Sequence, residues 1–174
     1  MSNETKATRL EWHYLDPDDD YVKARWLVVD YLQRQIKEQG FNFGAKSFWF
    51  NLGVVMDTHH QLVVVTEKKT GQLAGFAVVN FHYKDSAPAI QLIEVVPKFR
   101  RNGLGTLLFT LANDLYTECG RYQADEPLFY ACSVQKEAEP FFKALGFAPN
   151  VEGDWCVKRV HLSLPTRRWH PNPL

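Results

Sequence analysis

Apolar residues recur along this chain in two periods, and the switch from one to the other predicts its elements. Leu10 to Leu15 reads as a first strand. Asp16-Pro17-Asp18-Asp19-Asp20 then marks a helix start, where acidic side chains meet the positive end of the backbone dipole. Val22, Trp26, Val29, Leu32 and Ile36 follow at helical spacing, so one apolar face is predicted from about Val22 to a stop near Gly40. The aromatic-rich stretch Phe41 to Phe50 suits core packing by a short second helix. Leu62 to Thr66 and Leu73 to Tyr83, joined by the polar turn Lys68 to Gln72, predict an antiparallel hairpin. After the turn Lys84 to Pro88 comes Ile90 to Val96, apolar nearly throughout, as a strand covered on both faces should be.

The helical period returns at Leu104, Leu107, Leu108, Leu111 and Leu115, with Gly120 as its expected stop. Leu128 to Val134 predicts a strand. Gln135 to Leu145 predicts a short helix, with Pro140 tolerable only in its first turn and Gly146-Phe147 closing it. Trp155 to Leu164 alternates as a last strand. The predicted order is β-α-α-β-β-β-α-β-α-β(-β), an α/β fold with a mixed sheet. Residues 1–9 and 165–174 are expected to be flexible ends around a single domain spanning 10–164.

Composition changes this picture little. The chain has 174 residues, 45% hydrophobic and 23% charged, which is ordinary for one globular domain with a real core. Twenty basic and twenty acidic residues cancel, so no basic excess points to nucleic acid or an anionic membrane. Cys119, Cys132 and Cys156 show neither metal-ligand spacing nor an even disulfide set; buried free thiols in a reducing compartment fit better. The polar start Met1 to Lys6 lacks the apolar stretch of a secretory signal, and no apolar run is long enough to span a bilayer. A cytoplasmic protein without a membrane partner is expected. The His59-His60 pair has no further ligands nearby and reads as surface, so no metal is expected.

One stretch carries chemistry. Between the apolar strand and the leucine-striped helix lies Pro97-Lys98-Phe99-Arg100-Arg101-Asn102-Gly103-Leu104-Gly105. The first N–H groups of a helix lack partners within it and carry partial positive charge. Glycines remove Cβ atoms and let a phosphate approach the backbone, and Arg100 and Arg101 add charge that can bind phosphate in bidentate fashion. On the glycines alone, a tight strand-to-helix connection explains the stretch equally well.

The whole arrangement is more specific. Arg100-x-x-Gly103-x-Gly105 resembles the acyl-CoA pyrophosphate loop of the GNAT N-acetyltransferase superfamily, Gln/Arg-x-x-Gly-x-Gly/Ala. Ile93 to Pro97 resembles the end of that family's central strand. Ala138-x-x-Phe141-Phe142-x-x-x-Gly146-Phe147 resembles its Ala-x-x-Phe-Tyr-x-x-x-Gly-Phe block, in the right order along the chain. The resemblance implies a GNAT-like, mostly antiparallel mixed sheet flanked by helices. It also implies acetyl transfer from acetyl-CoA to a primary amine of a small molecule or peptide, and it allows the homodimer common in the family. Carried over position by position, the backbone of Val95 and Val96 would hold the pantetheine arm. The N–H groups of Arg101, Asn102, Gly103, Leu104, Gly105 and Thr106 would hold the pyrophosphate, with Arg100 at the motif's first position. Gln135 stands where the family often has Asn beside the arm. Phe48 and Trp49 fall where the family borders its acceptor pocket.

Two departures bear on the chemistry. The family's usual acid is a Tyr at the position of Phe142, which leaves Phe142 a cofactor-side core residue and Tyr130 or Ser133 as substitutes for the acid. The missing acid should cost about 2 kcal/mol, since a thiol of pKa ~8.5 lies only ~1.5 units above neutrality. The family's usual base positions, near Ala89 and Gln91, hold no base here. Glu94 is the one ionisable side chain in the central strand, and it reads either as a base acting through water or as a structural ion pair or rim position where the strand opens. Alternation puts Gln91 and Ile93 on one face and Glu94 on the other, unless a bulge near Val95 intervenes. A lysine-like amine needs about 4.6 kcal/mol to lose its proton at pH 7, an α-amine near pKa ~8 only about 1.4. The alternative is an acyl-CoA-binding regulatory or degenerate module.

Overall fold

A computed structural model describes residues 10–15, 22–39, 53, 55, 60–81, 83, 87–118 and 128–158. The elements are β1 (Leu10–Leu15), α1 (Val22–Gln39), β2 (His60–Glu67), β3 (Leu73–Asn80), β4 (Ala89–Val95), α2 (Leu104–Glu118), β5 (Leu128–Ala131), α3 (Glu139–Ala144), β6 (Ala148–Pro149) and β7 (Trp155–Lys158). Single 3₁₀ turns, Pro97–Phe99 and Lys136–Ala138, precede α2 and α3. The predicted α/β class and element order hold. The expected helix over Phe41 to Phe50, the stop at Gly120, both flexible ends and the last strand beyond Lys158 lie outside the described residues.

One sheet of seven strands runs in the order β1-β2-β3-β4-β5-β7-β6. Every pairing is antiparallel except β4 with β5, which is parallel and joins only Ala89 to Tyr130 and Ile90 to Ala131. Helix α2 lies on one face. Its leucines at 104, 107, 108, 111 and 115 are all buried, and full burial of each such side chain is worth about 2 kcal/mol before the entropy of ordering. That layer also holds Phe109, Phe129, Phe142 and Phe147. The other face carries α1, packed on Leu62, Val64, Phe76 and Val78.

The stripe read on α1 needs correction. Trp26 is 51% exposed, and the buried residues are Ala24, Val28, Val29, Tyr31 and Leu32. Among the residues whose burial is described, the stripe steps 24-28-31, roughly half a turn from Trp26, and it shares Val29 and Leu32 with the predicted one. Tyr31 escaped notice because a phenol counts as neither plainly apolar nor polar. Two strands also end early. β3 stops at Asn80 rather than Tyr83, and β5 at Ala131 rather than Val134, because Ser133 takes a positive φ of 49° that no strand permits.

Helix α3 ends in a tight cap. Gly146 has φ 96°, its N–H donates to the Lys143 carbonyl, and the N–H of Phe147 donates to that of Phe142. The paired bonds and the Phe142–Phe147 ring contact, 5.3 Å between centroids, form the apolar-backed stop expected of this sequence.

Candidate active site

The site is built where β4 outruns β5. Their shared seam ends at Ile90, yet β4 continues five residues to Val95. The far half of β4 is therefore only partly covered, which corrects the expectation of a strand buried on both faces along its length. A bulge occurs, but at Gln91: Val78 pairs with Leu92 and Val79 with Ile90, which leaves Gln91 as the extra residue. From Leu92 onward alternation is regular. Ile93 and Val95 pack toward α2, whereas Leu92 and Val96 pack toward α1.

Backbone direction follows from the same register. Val96 donates its N–H to Ala74, so the Val96–Ala74 pair is hydrogen-bonded across β3. The next pair, Val95 with Gly75, is then of the non-hydrogen-bonded kind, and so is Ile93 with Ala77. Hence the N–H and C=O of Ile93 and Val95 point away from β3, into the opening that β5 leaves. Of the two residues assigned to the arm, Val95 presents its backbone there. Val96 does not, since its N–H serves Ala74 and its C=O accepts from Phe99. Ile93 presents its backbone there as well, a residue that counting hydrogen-bond parity back from Val95 would have found.

The opening runs into the loop before α2. Arg101 and Gly103 both have left-handed backbones, φ 62° and 77°. Asn102 ties the turn by donating its side-chain N–H to the carbonyls of Phe99 and Arg100. The first helical bond is closed by the Leu107 N–H on the Gly103 carbonyl, 3.0 Å. The N–H groups of Leu104, Gly105 and Thr106 consequently have no acceptor within the helix. A Cβ added to Gly103 would meet nothing within 4 Å, so the loop's glycine faces open space. At Gly105 the structure adds a packing reason for glycine to the one read in the sequence. A Cβ there would lie 3.2 Å from the Phe141 ring, so Gly105 makes room for α3.

The side chains around β4 are organised by Glu94. Its Oε1 accepts from Arg100 Nη2 at 2.8 Å and from the Tyr31 hydroxyl at 3.2 Å. Arg100 Nε also donates to the Val95 carbonyl at 2.9 Å. Glu94 is thus an ion-paired carboxylate on the α1 face, one-third exposed. A pair this exposed contributes at most about 1 kcal/mol to stability.

The remaining assigned residues are scattered around this centre. Gln135 is exposed, and its carbonyl opens the 3₁₀ turn before α3. Phe142 is only 4% exposed, its ring against Phe141 and Phe147, and so belongs to the core. Tyr130 is buried in a small cluster with Ala87 and Ala89. It pairs with Ala89, five residues from Glu94, or roughly 16 Å along the strand. Ser133 is exposed just past the end of β5. Phe48 and Trp49 lie outside the described residues. Among the described residues no three His, Cys, Asp or Glu side chains gather as a metal site, and no helix is long and apolar enough to cross a membrane.

The parallel pair is thus partly unzipped, with a glycine loop and helix at the head of the longer strand. The sequence profile of the acetyltransferase (GNAT) domain matches residues 33–159, most of the chain, and the protein belongs to that family. Its chemistry is acyl transfer. No curated protein matches the sequence. Among solved structures, Escherichia coli ElaA is similar with a TM-score of 0.60 at 15% identity, over 84% of this chain and 96% of its own. Tetrahymena GCN5 is similar with a TM-score of 0.58 at 18% identity, over 80% of each chain. At such identities the likeness is one of fold.

Proposed function

We propose that this protein transfers an acetyl group from acetyl-CoA to a primary amine of a small molecule or peptide. GNAT domains generally use acetyl-CoA, and one observation carries the reading for this chain. The outward backbone groups of Ile93 and Val95 lead directly to the unpaired N–H groups of Leu104, Gly105 and Thr106. A strand edge followed by an amide cradle suits a ligand with an extended amide-bearing arm at one end and a pyrophosphate at the other.

In this reading the Val95 N–H polarises the thioester carbonyl. The acceptor enters as an ammonium ion and loses a proton, directly or through one water, toward Glu94. The amine lone pair then attacks the carbonyl carbon, the C–S bond breaks, and the thiol of CoA leaves after taking up a proton. Cys132 and Cys156, half-buried and in no disulfide, suit work in a reducing compartment such as the cytoplasm.

Titration calorimetry with acetyl-CoA on the wild type and on Gly103→Glu tests the reading. Binding by the wild type and none by a folded variant is expected, followed by thiol release with a panel of amines. A well-folded wild type that binds no acetyl-CoA refutes it. A second reading, a CoA-binding regulatory module, is favoured by the burial of Phe142 where the family has its acid. Tight binding without turnover on any amine would select that one.

A further inference from the structure

The loop before α2 carries adjacent arginines, Arg100 and Arg101, and the structure uses them differently. Arg100 folds back onto β4, where one guanidinium bridges two acceptors, the Val95 carbonyl and Glu94 Oε1. The same Oε1 receives the hydroxyl of Tyr31, a buried residue of α1 held edge-on against Phe76. Arg101 sits at φ 62°, exposed, and its side chain has no hydrogen bond or ion pair with the described residues. Two donors on one oxygen leave Oε2 of Glu94 as the acceptor still open. They also fix the carboxylate's rotation, which a free glutamate at a half-exposed strand position would not hold. Two of the five N–H groups of Arg100 are committed to these acceptors, and they hold its guanidinium back on β4.

We propose that Tyr31 and Arg100 are positioning residues, a two-donor clamp that fixes Glu94 for the acceptor amine, and that phosphate charge is met by Arg101 and the loop amides. This deepens the acetyltransferase reading and rests on it. The carbonyl of Val95 is thereby capped as well, so at that residue the open edge offers its N–H alone to a thioester.

The test compares Arg100→Gln, Arg101→Gln, Tyr31→Phe and Glu94→Ala in the full chain. Calorimetry with CoA at 50 and 200 mM salt should show Arg101→Gln binding about tenfold more weakly with a flatter salt dependence, and Arg100→Gln within threefold of wild type. Urea unfolding should show coupling: Tyr31→Phe lowers the midpoint less in a Glu94→Ala background than in the wild type. With the best amine of the panel, Tyr31→Phe and Arg100→Gln should each lower kcat about tenfold with KM for acetyl-CoA unchanged, and Arg100→Lys should restore part of the loss. Arg100→Gln weakening CoA as much as Arg101→Gln does, or additive effects of Tyr31 and Glu94 on unfolding, would overturn the clamp. If the wild type binds no CoA, the acetyltransferase reading and the role of Arg101 fall together, and the unfolding cycle still decides the clamp by itself.

Discussion

Gly103→Ala separates two reasons for a glycine in the same loop. At φ 77° an L-residue suffers backbone repulsion of about 1–2 kcal/mol, and here no contact modifies that figure, since a Cβ meets nothing within 4 Å. Alanine also stiffens the unfolded chain, which returns about 0.4–1 kcal/mol. The net expectation is a loss of about 1 kcal/mol, or about 2–4 °C in Tm for a domain of this size. Gly105→Ala presents the opposite case. Its φ is ordinary, alanine favours a helix by up to about 1 kcal/mol, and the price is a 3.2 Å approach to the half-exposed Phe141 ring, which can shift by a few tenths of an ångström. Its stability should stay within about 0.5 kcal/mol of wild type. Urea midpoints of both variants without ligand give the comparison, with Gly103→Asn as control, since asparagine tolerates the left-handed region and should lose less. An unchanged midpoint for Gly103→Ala beside a loss above ~1 kcal/mol for Gly105→Ala would refute the described loop.

Three further outcomes are expected. Gly75→Ala should destabilise severely or fail to fold, because its Cβ would lie 2.8 Å from the Glu94 backbone oxygen and 2.9 Å from Leu108; a stable variant by circular dichroism would contradict the packing of β3 against β4. Phe142→Tyr places a hydroxyl among Phe141 and Phe147 and should cost about 1–3 kcal/mol in urea unfolding, whereas unchanged stability with faster turnover would mean that the phenol reaches the reacting thiol. Burial, and next the Asp154 carboxylate, raise the Cys156 thiol above its ordinary range. The folded protein therefore holds that proton longer than the unfolded chain does. The resulting stability is complete below the ordinary thiol pKa and is lost as pH rises through the folded value. Iodoacetamide at pH 8 should accordingly label Cys156 more slowly in native protein than in urea, and equal rates would count against the shift.

Much of this fold could be read from the chain, because the informative signals were local. Leu10 to Leu15 and the leucines of α2 declare their faces by period alone, and Gly146-Phe147 declares a helix stop by local backbone chemistry. What escaped depends on residues distant in sequence. Glu94 could be singled out as an unusual carboxylate in a strand, but its donors come from α1 and from the loop beyond Pro97. The site of the bulge, Gln91 rather than the neighbourhood of Val95, is set by β3. The packing need for glycine at Gly105 was hidden because the ring that takes the space, Phe141, stands on another helix. The glycine turn between strand and helix was legible, and the fold of Arg100 back onto Val95 and Glu94 was not.

The two-residue seam between β4 and β5 has a consequence for how this protein holds together. Strands β1 to β4 form one antiparallel block and β5 to β7 another, and within the sheet only that short parallel pair stitches them. A molecule lying in the opening, bonded to the outward amides of Ile93 and Val95, would act as a missing length of strand. Occupancy then becomes part of the architecture. Amide exchange in β5 and β7 should slow when the opening is filled, because a bridging molecule adds a backbone link to the α2 core that already joins the two blocks.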